Sequence, residues 1–191
     1  MPNLKKILVI GSNSFSSSSL IKLLLKKNFI VHGISRSRLN EKKFLGFDPS
    51  HRNFFFKKLD INKNHLSIIR TIKKFKPLYV INFASQSMVG QSWDNPLDWF
   101  HTNSFSTIRL YHDISKLKFK LKIIHVSTPE VYGNIKKKTT ENTFYNPNTP
   151  YAVSRVTADQ FLKILFDLYK AYSSSSEIIL ASVHFKPLDS K

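Results

Sequence analysis

The sequence predicts an α/β fold built on a doubly wound parallel sheet, and three observations carry that prediction. Short apolar runs rich in Val and Ile alternate with amphipathic stretches along the 191 residues, and such alternation favours parallel strands joined by crossover helices. The first apolar run ends at Gly11, directly before a helical pattern. Polar residues of the kinds that carry chemistry follow the predicted strands, at the sheet edge where ligands bind in this architecture. One domain with a substantial core suits this length better than two very small ones.

Lys6–Ile10 reads as a buried first strand ending at Gly11. Ser18–Lys27 carries Leu20, Ile21, Leu23, Leu24 and Leu25 and reads as a helix. Phe29–Ile34 is a second strand and Asn53–Leu59 a third, closed by Asp60. His65–Phe75 has Leu66, Ile68, Ile69 and Ile72 at helical spacing and is stopped by Pro77. Tyr79–Phe83 is the fourth strand, Asp98–Leu117 one long helix, and Lys122–Val126 the fifth strand. Pro150 suits a first helical turn and leads the helix Tyr151–Tyr172; Glu177–Val183 is a sixth strand. There is no internal repeat, and the serine runs at 16–19 and 173–176 are the only low-complexity pieces.

Composition narrows the function classes. No apolar run approaches the ~18 residues that a membrane-spanning helix needs, and the N-terminus lacks a signal-peptide pattern. The absence of cysteine excludes disulfides and thiolate metal sites and fits a cytoplasmic enzyme. The formal net charge of +18 admits two readings. One is a binder of nucleic acid or another anionic surface. The other is a lysine-biased composition, since pairs such as Lys26-Lys27 and Lys73-Lys74 are spread along the chain without an arginine cluster to fork phosphates or bases. The second accounts better for the spread.

Acid/base chemistry is suggested by Tyr151 and Arg155, one helical turn apart and so on one helix face. A cation beside a phenol lowers a pKa that starts near ~10, which lets tyrosine pass protons near neutrality. Ser127-Thr128-Pro129-Glu130 adds hydroxyls and a carboxylate just after the fifth strand. Each residue has a plainer alternative: a helix-start aromatic for Tyr151, a hydroxyl capping backbone for Thr128, a solvated loop charge for Glu130.

These residues resemble the extended short-chain dehydrogenase/reductases, and within them the NAD(P)-dependent nucleotide-sugar 4,6-dehydratases and epimerases. The resemblance runs from about residue 5 to about residue 172. It rests on Gly11-Ser-Asn-Ser-Phe15, Val31-His-Gly-Ile-Ser-Arg36, Asp60-Ile61, Asn82-Phe-Ala-Ser-Gln-Ser87, Thr102-Asn103, Ser127-Thr-Pro-Glu-Val-Tyr-Gly133, Asn146-Pro-Asn-Thr-Pro-Tyr151 and Asp159. It implies a Rossmann-type sheet in the order 3-2-1-4-5-6, with residues 1–191 forming the dinucleotide-binding domain and no complete C-terminal substrate domain.

The resemblance also implies residue roles. Gly11, Asn13, Ser14, Phe15 and Ser16 would surround the pyrophosphate, Ser35 and Arg36 the adenosine ribose, and Asp60 and Ile61 the adenine. Phe83, Ala84, Ser85 and Thr102, with Tyr151 and Arg155, would line the nicotinamide half. Ser35-Arg36-Ser37-Arg38 replaces the usual acidic residue and favours NADP, while an Arg36 that only stacks on adenine leaves NAD open. The substrate would be a nucleotide sugar approached by Ser87 and Thr128, with no metal. Tyr151 would take the 4-hydroxyl proton as hydride leaves C4; Glu130 would then remove the C5 proton, water would leave C6, and the hydride would return there. The alternative is a catalytically weak dinucleotide-binding relative; a nucleic-acid binder trails both.

Several positions depart from the pattern. Ser14 and Ser17 replace fingerprint glycines and would add strain where φ is positive. Arg155 replaces the customary lysine, and Pro129 stands where many members carry an aspartate. The helix Tyr151–Tyr172, with Phe161, Leu162, Leu165, Phe166 and Leu168, packs at a dimer interface in the family; here the stripe reads more readily as core, with a homodimer through this helix as the alternative.

Overall fold

The computed structural model describes residues 5–134 and 144–172, with backbone alone for 169–172. Its elements are β1 Lys6–Ile10, α1 Phe15–Lys26, β2 Ile30–Ser35, α2 Lys42–Leu45, β3 Phe54–Lys58, α3 His65–Phe75, β4 Tyr79–Asn82, α4 Gln91–Asp94, α5 Pro96–Trp99, a π-helical turn Phe100–Ser106, α6 Thr107–Ser115, β5 Lys122–His125, a 3-10 turn Pro129–Tyr132 and α7 Pro150–Tyr172. The five strands form one parallel sheet in the order β3-β2-β1-β4-β5. The sixth strand expected at Glu177–Val183 lies outside the described residues.

The strands are two-sided, as parallel strands covered by helices must be. Leu8, Ile10 and Ile34 face a core shared with Ile68 and Ile72 of α3, Leu110 and Ile114 of α6, and Leu162 and Leu165 of α7. Ile7, Val9 and Val31 face the opposite core, with Ile21, Leu24 and Leu25 of α1 and Leu45 of α2. The helix after β1 thus covers one face and the helix after β3 the other. Their loops diverge at the carboxyl edge, which opens a cleft beside the central strand β1.

Two sequence expectations are corrected. Helix α1 begins at Phe15 rather than Ser18, because the Ser14 hydroxyl accepts the Ser17 N–H as an N-cap, at 3.2 Å. The long helix expected over Asp98–Leu117 is interrupted by the π-helical turn. Apolar periodicity does not register such an insertion; its cause is polar, since Asn103 within the turn is buried and bonds to two other segments. The short helices α2 and α4 carry too few apolar residues for periodicity to reveal them.

Candidate active site

Gly11 brings the loop after β1 against the loop after β4. Its φ is +79°, and a Cβ built there would lie 2.6 Å from Ala84 N and 2.8 Å from the Phe83 carbonyl carbon. Glycine is therefore required twice over, by dihedral and by contact. The Gly11 and Ser12 N–H groups both donate to Ile34 O, at 2.8 and 3.1 Å, which fastens the turn to β2.

The serines in place of glycines are accommodated without strain. Ser14 has φ −73°, ordinary extended backbone. Ser17 is fully buried, and its hydroxyl lies 2.8 Å from Gly11 O and 2.9 Å from Ser14 O. The expected penalty for a positive φ does not arise at either position.

Above this turn lies a cavity of about 240 Å³. Gly11, Asn13 and Ser14 line it from the first loop, and Ser35 and Arg36 from the end of β2. Asp60 and Ile61 follow β3, Phe83, Ala84 and Ser85 follow β4, and Thr102 comes from the π-helical turn. Phe15 is instead 87% exposed, and neither it, Ser16, Tyr151 nor Arg155 lines this cavity. Ser87 is exposed beyond the β4 loop. Ser37, of the Ser35–Arg38 segment, also lines the cavity, as does Asn62, which no sequence signal marks.

The cavity offers what a dinucleotide needs. Asn13 donates through Nδ2 to Ser37 Oγ at 2.8 Å and to Arg38 O at 2.7 Å, and Asn62 donates through Nδ2 to Thr102 Oγ1 at 3.0 Å. These bonds fix both amides and leave Asn13 Oδ1 and Asn62 Oδ1 buried without a partner. Two unpaired acceptors suit the amino and hydroxyl donors of an adenosine. The N-terminus of α1, capped by Ser14 and free of acidic side chains in its first turn, suits a pyrophosphate. Arg36 is exposed at the rim, where Nη1 donates to Gln86 Oε1 at 3.3 Å.

The acid/base candidates gather at the end of β5 and the start of α7. Thr128 is buried and its Oγ1 accepts the Glu130 N–H at 3.3 Å, which starts the 3-10 turn holding Glu130. The capping alternative is therefore real, yet the hydroxyl proton stays free to donate. Tyr151 is 7% exposed. Its N–H donates to Ser92 Oγ at 3.2 Å and its carbonyl accepts from Ser154 Oγ at 2.7 Å. Asn103 Nδ2 donates to Ser154 Oγ and to Gln86 O, both at 3.0 Å, and its Oδ1 accepts the Gln86 N–H at 2.8 Å. Asn103 thus locks the β4 loop to the first turn of α7; its place beside Thr102 was legible, its bridging role was not.

Arg155 bonds to groups that its spacing from Tyr151 does not announce. The side chain is 2% exposed and its Nη2 donates to Val126 O and lies 3.1 Å from His125 Nε2, so the guanidinium is turned onto the end of β5. A longer, forked side chain reaches acceptors that a lysine in the same place would fall short of. Around it is a buried network that the sequence did not reveal. Tyr111 Oη meets His125 Nδ1 at 2.5 Å and accepts from Asn82 Nδ2 at 3.0 Å; Asp159 Oδ1 lies 3.4 Å from His125 Nε2. Ser127 Oγ donates to Asp159 Oδ2 at 2.5 Å. Burial and the neighbouring guanidinium hold His125 well below the usual imidazole range, and burial pushes the Tyr111 phenol above its ordinary value. His125 is therefore neutral and lies between Tyr111 on one side and Arg155 and Asp159 on the other, and Arg155 and Asp159 tie α7 to the segment bearing Thr128 and Glu130.

Comparisons with known proteins bear on the family and the fold. The sequence model of the GDP-mannose 4,6-dehydratase family matches residues 8–183. A GDP-mannose 4,6-dehydratase from Yersinia enterocolitica is 31% identical over 164 residues, which cover 81% of this chain and 44% of that protein. A probable dTDP-glucose 4,6-dehydratase from Sinorhizobium fredii is 29% identical over 82% of this chain and 47% of its own length. Among solved structures, a UDP-Glc/GlcNAc 4-epimerase from Campylobacter jejuni superposes with a TM-score of 0.78 at 20% identity, over 92% of this chain and 53% of that one. A dTDP-glucose 4,6-dehydratase from Streptomyces venezuelae, with NAD and TYD bound, gives 0.75 at 22%, over 92% and 55%. The chain spans about half the length of these relatives. With a Rossmann-type sheet, a glycine-turn cleft and a family match across most of its sequence, the chain belongs to the GDP-mannose 4,6-dehydratase family.

Proposed function

We propose that this chain is the dinucleotide-binding half of a nucleotide-sugar 4,6-dehydratase, and that it favours NADP over NAD. The observation that carries the reading is the juxtaposition of two built features. One is the cavity over Gly11 with its unpaired Asn13 and Asn62 acceptors. The other is the α7 start, which carries Tyr151, is clamped through Ser92, Ser154 and Asn103, and belongs to the helix that packs against the 3-10 turn bearing Glu130.

In this reading Ser35 and Arg36 receive the adenosine ribose, Arg36 supplying the charge for a 2′-phosphate. Asp60 and Ile61 flank the adenine, and Phe83, Ala84 and Ser85 the nicotinamide half. The bound dinucleotide supplies a hydride acceptor that later gives the hydride back. Tyr151 accepts the proton of the sugar 4-hydroxyl, and Thr128 donates to the same oxygen to align it. Glu130 removes the C5 proton, acidified by the 4-ketone, so that water leaves C6. With Pro129 in place of an acid, Glu130 or water protonates the departing hydroxyl. The Tyr151–Tyr172 helix, which exposes Ile164 and Leu168, is the surface for a homodimer.

Calorimetric titration with NADP and NAD tests the first half of this proposal: tighter binding of NADP supports it, and no binding of either sinks it. Incubation with dTDP-glucose, GDP-mannose and UDP-GlcNAc, with detection of a 4-keto-6-deoxy product, tests the second. A chain that binds dinucleotide yet forms no product from any of the three is a binding module of the same family rather than an active dehydratase.

A further inference from the structure

Helix α3 stands as a ridge with a groove on each side, and both grooves combine apolar floors with lysine rims. On the α6 side a groove of about 610 Å³ is lined by Leu66, Ile69, Leu117 and Phe119, with Lys73, Lys76, Lys116 and Lys118 around them. On the β3 side a groove of about 590 Å³ has Phe55, Phe75 and Ile30 beneath Lys57 and Lys74. These lysines are exposed, and none of them forms an ion pair among the described residues. The one acid in either lining, Asp113, is already bonded to His65 Nε2 at 2.7 Å. Leu66 is 61% exposed and Phe55 50% exposed.

The sheet topology explains why the lysines concentrate there. Helix α3 and helix α6 both run back from the carboxyl edge, so Lys73, Lys74, Lys116 and Lys118 fall together at their ends. Cations there also suit the helix C-termini, which accounts for some of them. It does not account for Lys57, in a strand, or for apolar side chains left in water between the charges. The compositional account of the +18 net charge predicts a scattered excess; the fold instead gathers part of it on one apolar ridge.

We infer that the α3 ridge is a peripheral docking surface for an anionic lipid bilayer. Lysine ammonium groups attract a negatively charged headgroup layer without needing fork geometry, and exposed Leu and Phe side chains enter its apolar margin. Nucleic acid fits less well: the cations lining both grooves are lysines, and Arg70 is the single guanidinium on the exposed side of α3, too few to clasp successive phosphates or read base edges. The ridge flanks one face of the sheet, whereas the glycine-turn cavity opens at the carboxyl edge, so a docked chain keeps its cleft accessible.

The test is flotation of the whole chain with vesicles of phosphatidylcholine alone and with about a third phosphatidylglycerol, at about 0.15 M salt. Binding to the anionic vesicles alone is expected. Charge reversal of Lys73, Lys74, Lys116 and Lys118 to Glu should lower it at least about tenfold, whereas the same reversal at Lys22, Lys26, Lys27 and Arg52, outside both groove linings, should lower it by less than about threefold. Phe55→Ser with Leu66→Ser, which leaves the charge intact, should make the remaining binding more sensitive to salt. No binding to anionic vesicles overturns the inference. So does equal loss from the two reversal sets, which would assign binding to net charge alone, or displacement by duplex DNA with the same dependence on the α3 lysines, which would assign the ridge to nucleic acid.

Discussion

Alanine at four glycines separates backbone strain from crowding in the cleft. Gly90 has helical dihedrals and open space, so Gly90→Ala should be neutral or stabilise by up to about 1 kcal/mol. Gly46 has φ +66° and open space, so alanine there meets strain alone, about 1 kcal/mol. Gly33 lacks the positive φ, but a Cβ would lie 2.9 Å from the Ser12 side chain and 3.2 Å from Phe54, giving crowding alone at about 1–3 kcal/mol. Gly11 combines φ +79° with a Cβ at 2.6 Å from Ala84 N, and its obstacle is backbone. Gly11→Ala should therefore cost about 2–4 kcal/mol, roughly the sum of the two effects. Urea unfolding followed by Trp fluorescence, with m-values compared, gives each difference. A Gly11→Ala cost no greater than that of Gly46→Ala would refute the close approach of the β1 and β4 loops, and with it the geometry of the cleft.

Other expectations follow from the buried network and the cavity. Arg155→Met removes the buried bond to Val126 O and the contact with His125 and should cost about 1–3 kcal/mol, measured by urea unfolding, with Arg155→Lys recovering part of that. His125 has its folded pKa depressed, so the unfolded chain binds the extra proton: stability is full above about pH 6.5 and falls below it by about 1.4 kcal/mol per unit. Thermal melts between pH 7 and 5 should show a slope at least this steep, since burial and Lys57 also depress His32, and His125→Gln should reduce it without abolishing it. Arg36→Ala should weaken NADP binding about tenfold or more and NAD binding by less than about threefold, read by calorimetry; equal losses would mean that Arg36 only stacks on the base. Asn62→Leu removes an unpaired acceptor and the bond to Thr102, and should weaken both dinucleotides about fivefold to tenfold in the same titrations.

The sheet was legible because its signal is local: Lys6–Ile10 and Lys122–His125 are continuous apolar or β-branched runs bounded by turn residues. The cavity-lining residues were legible for a related reason, since a parallel sheet sends every residue just past a strand to one edge. The illegible parts depend on partners distant in sequence. Nothing near Asn103 announces that it will bridge Gln86 and Ser154, so the π-helical turn that aims it was read as plain helix. Arg155 was placed by helical spacing beside Tyr151, but spacing fixes only the Cα; the guanidinium went to His125, which looked like an ordinary strand residue. Ser14 and Ser17 were judged by what glycine does in a fingerprint, whereas their hydroxyls found acceptors and a capping role that glycine lacks.

Asn103 has one more consequence. A single amide joins the backbone of Gln86, past the fourth strand, to Ser154, whose hydroxyl in turn holds the Tyr151 carbonyl. The wall that would carry the nicotinamide ring and the turn that would carry the phenol therefore share one hinge pin. Displacement of either part is expected to be passed to the other through these bonds. Amide hydrogen exchange should then show Gln86 and the first turn of α7 opening together, and Asn103→Ala should let them open apart.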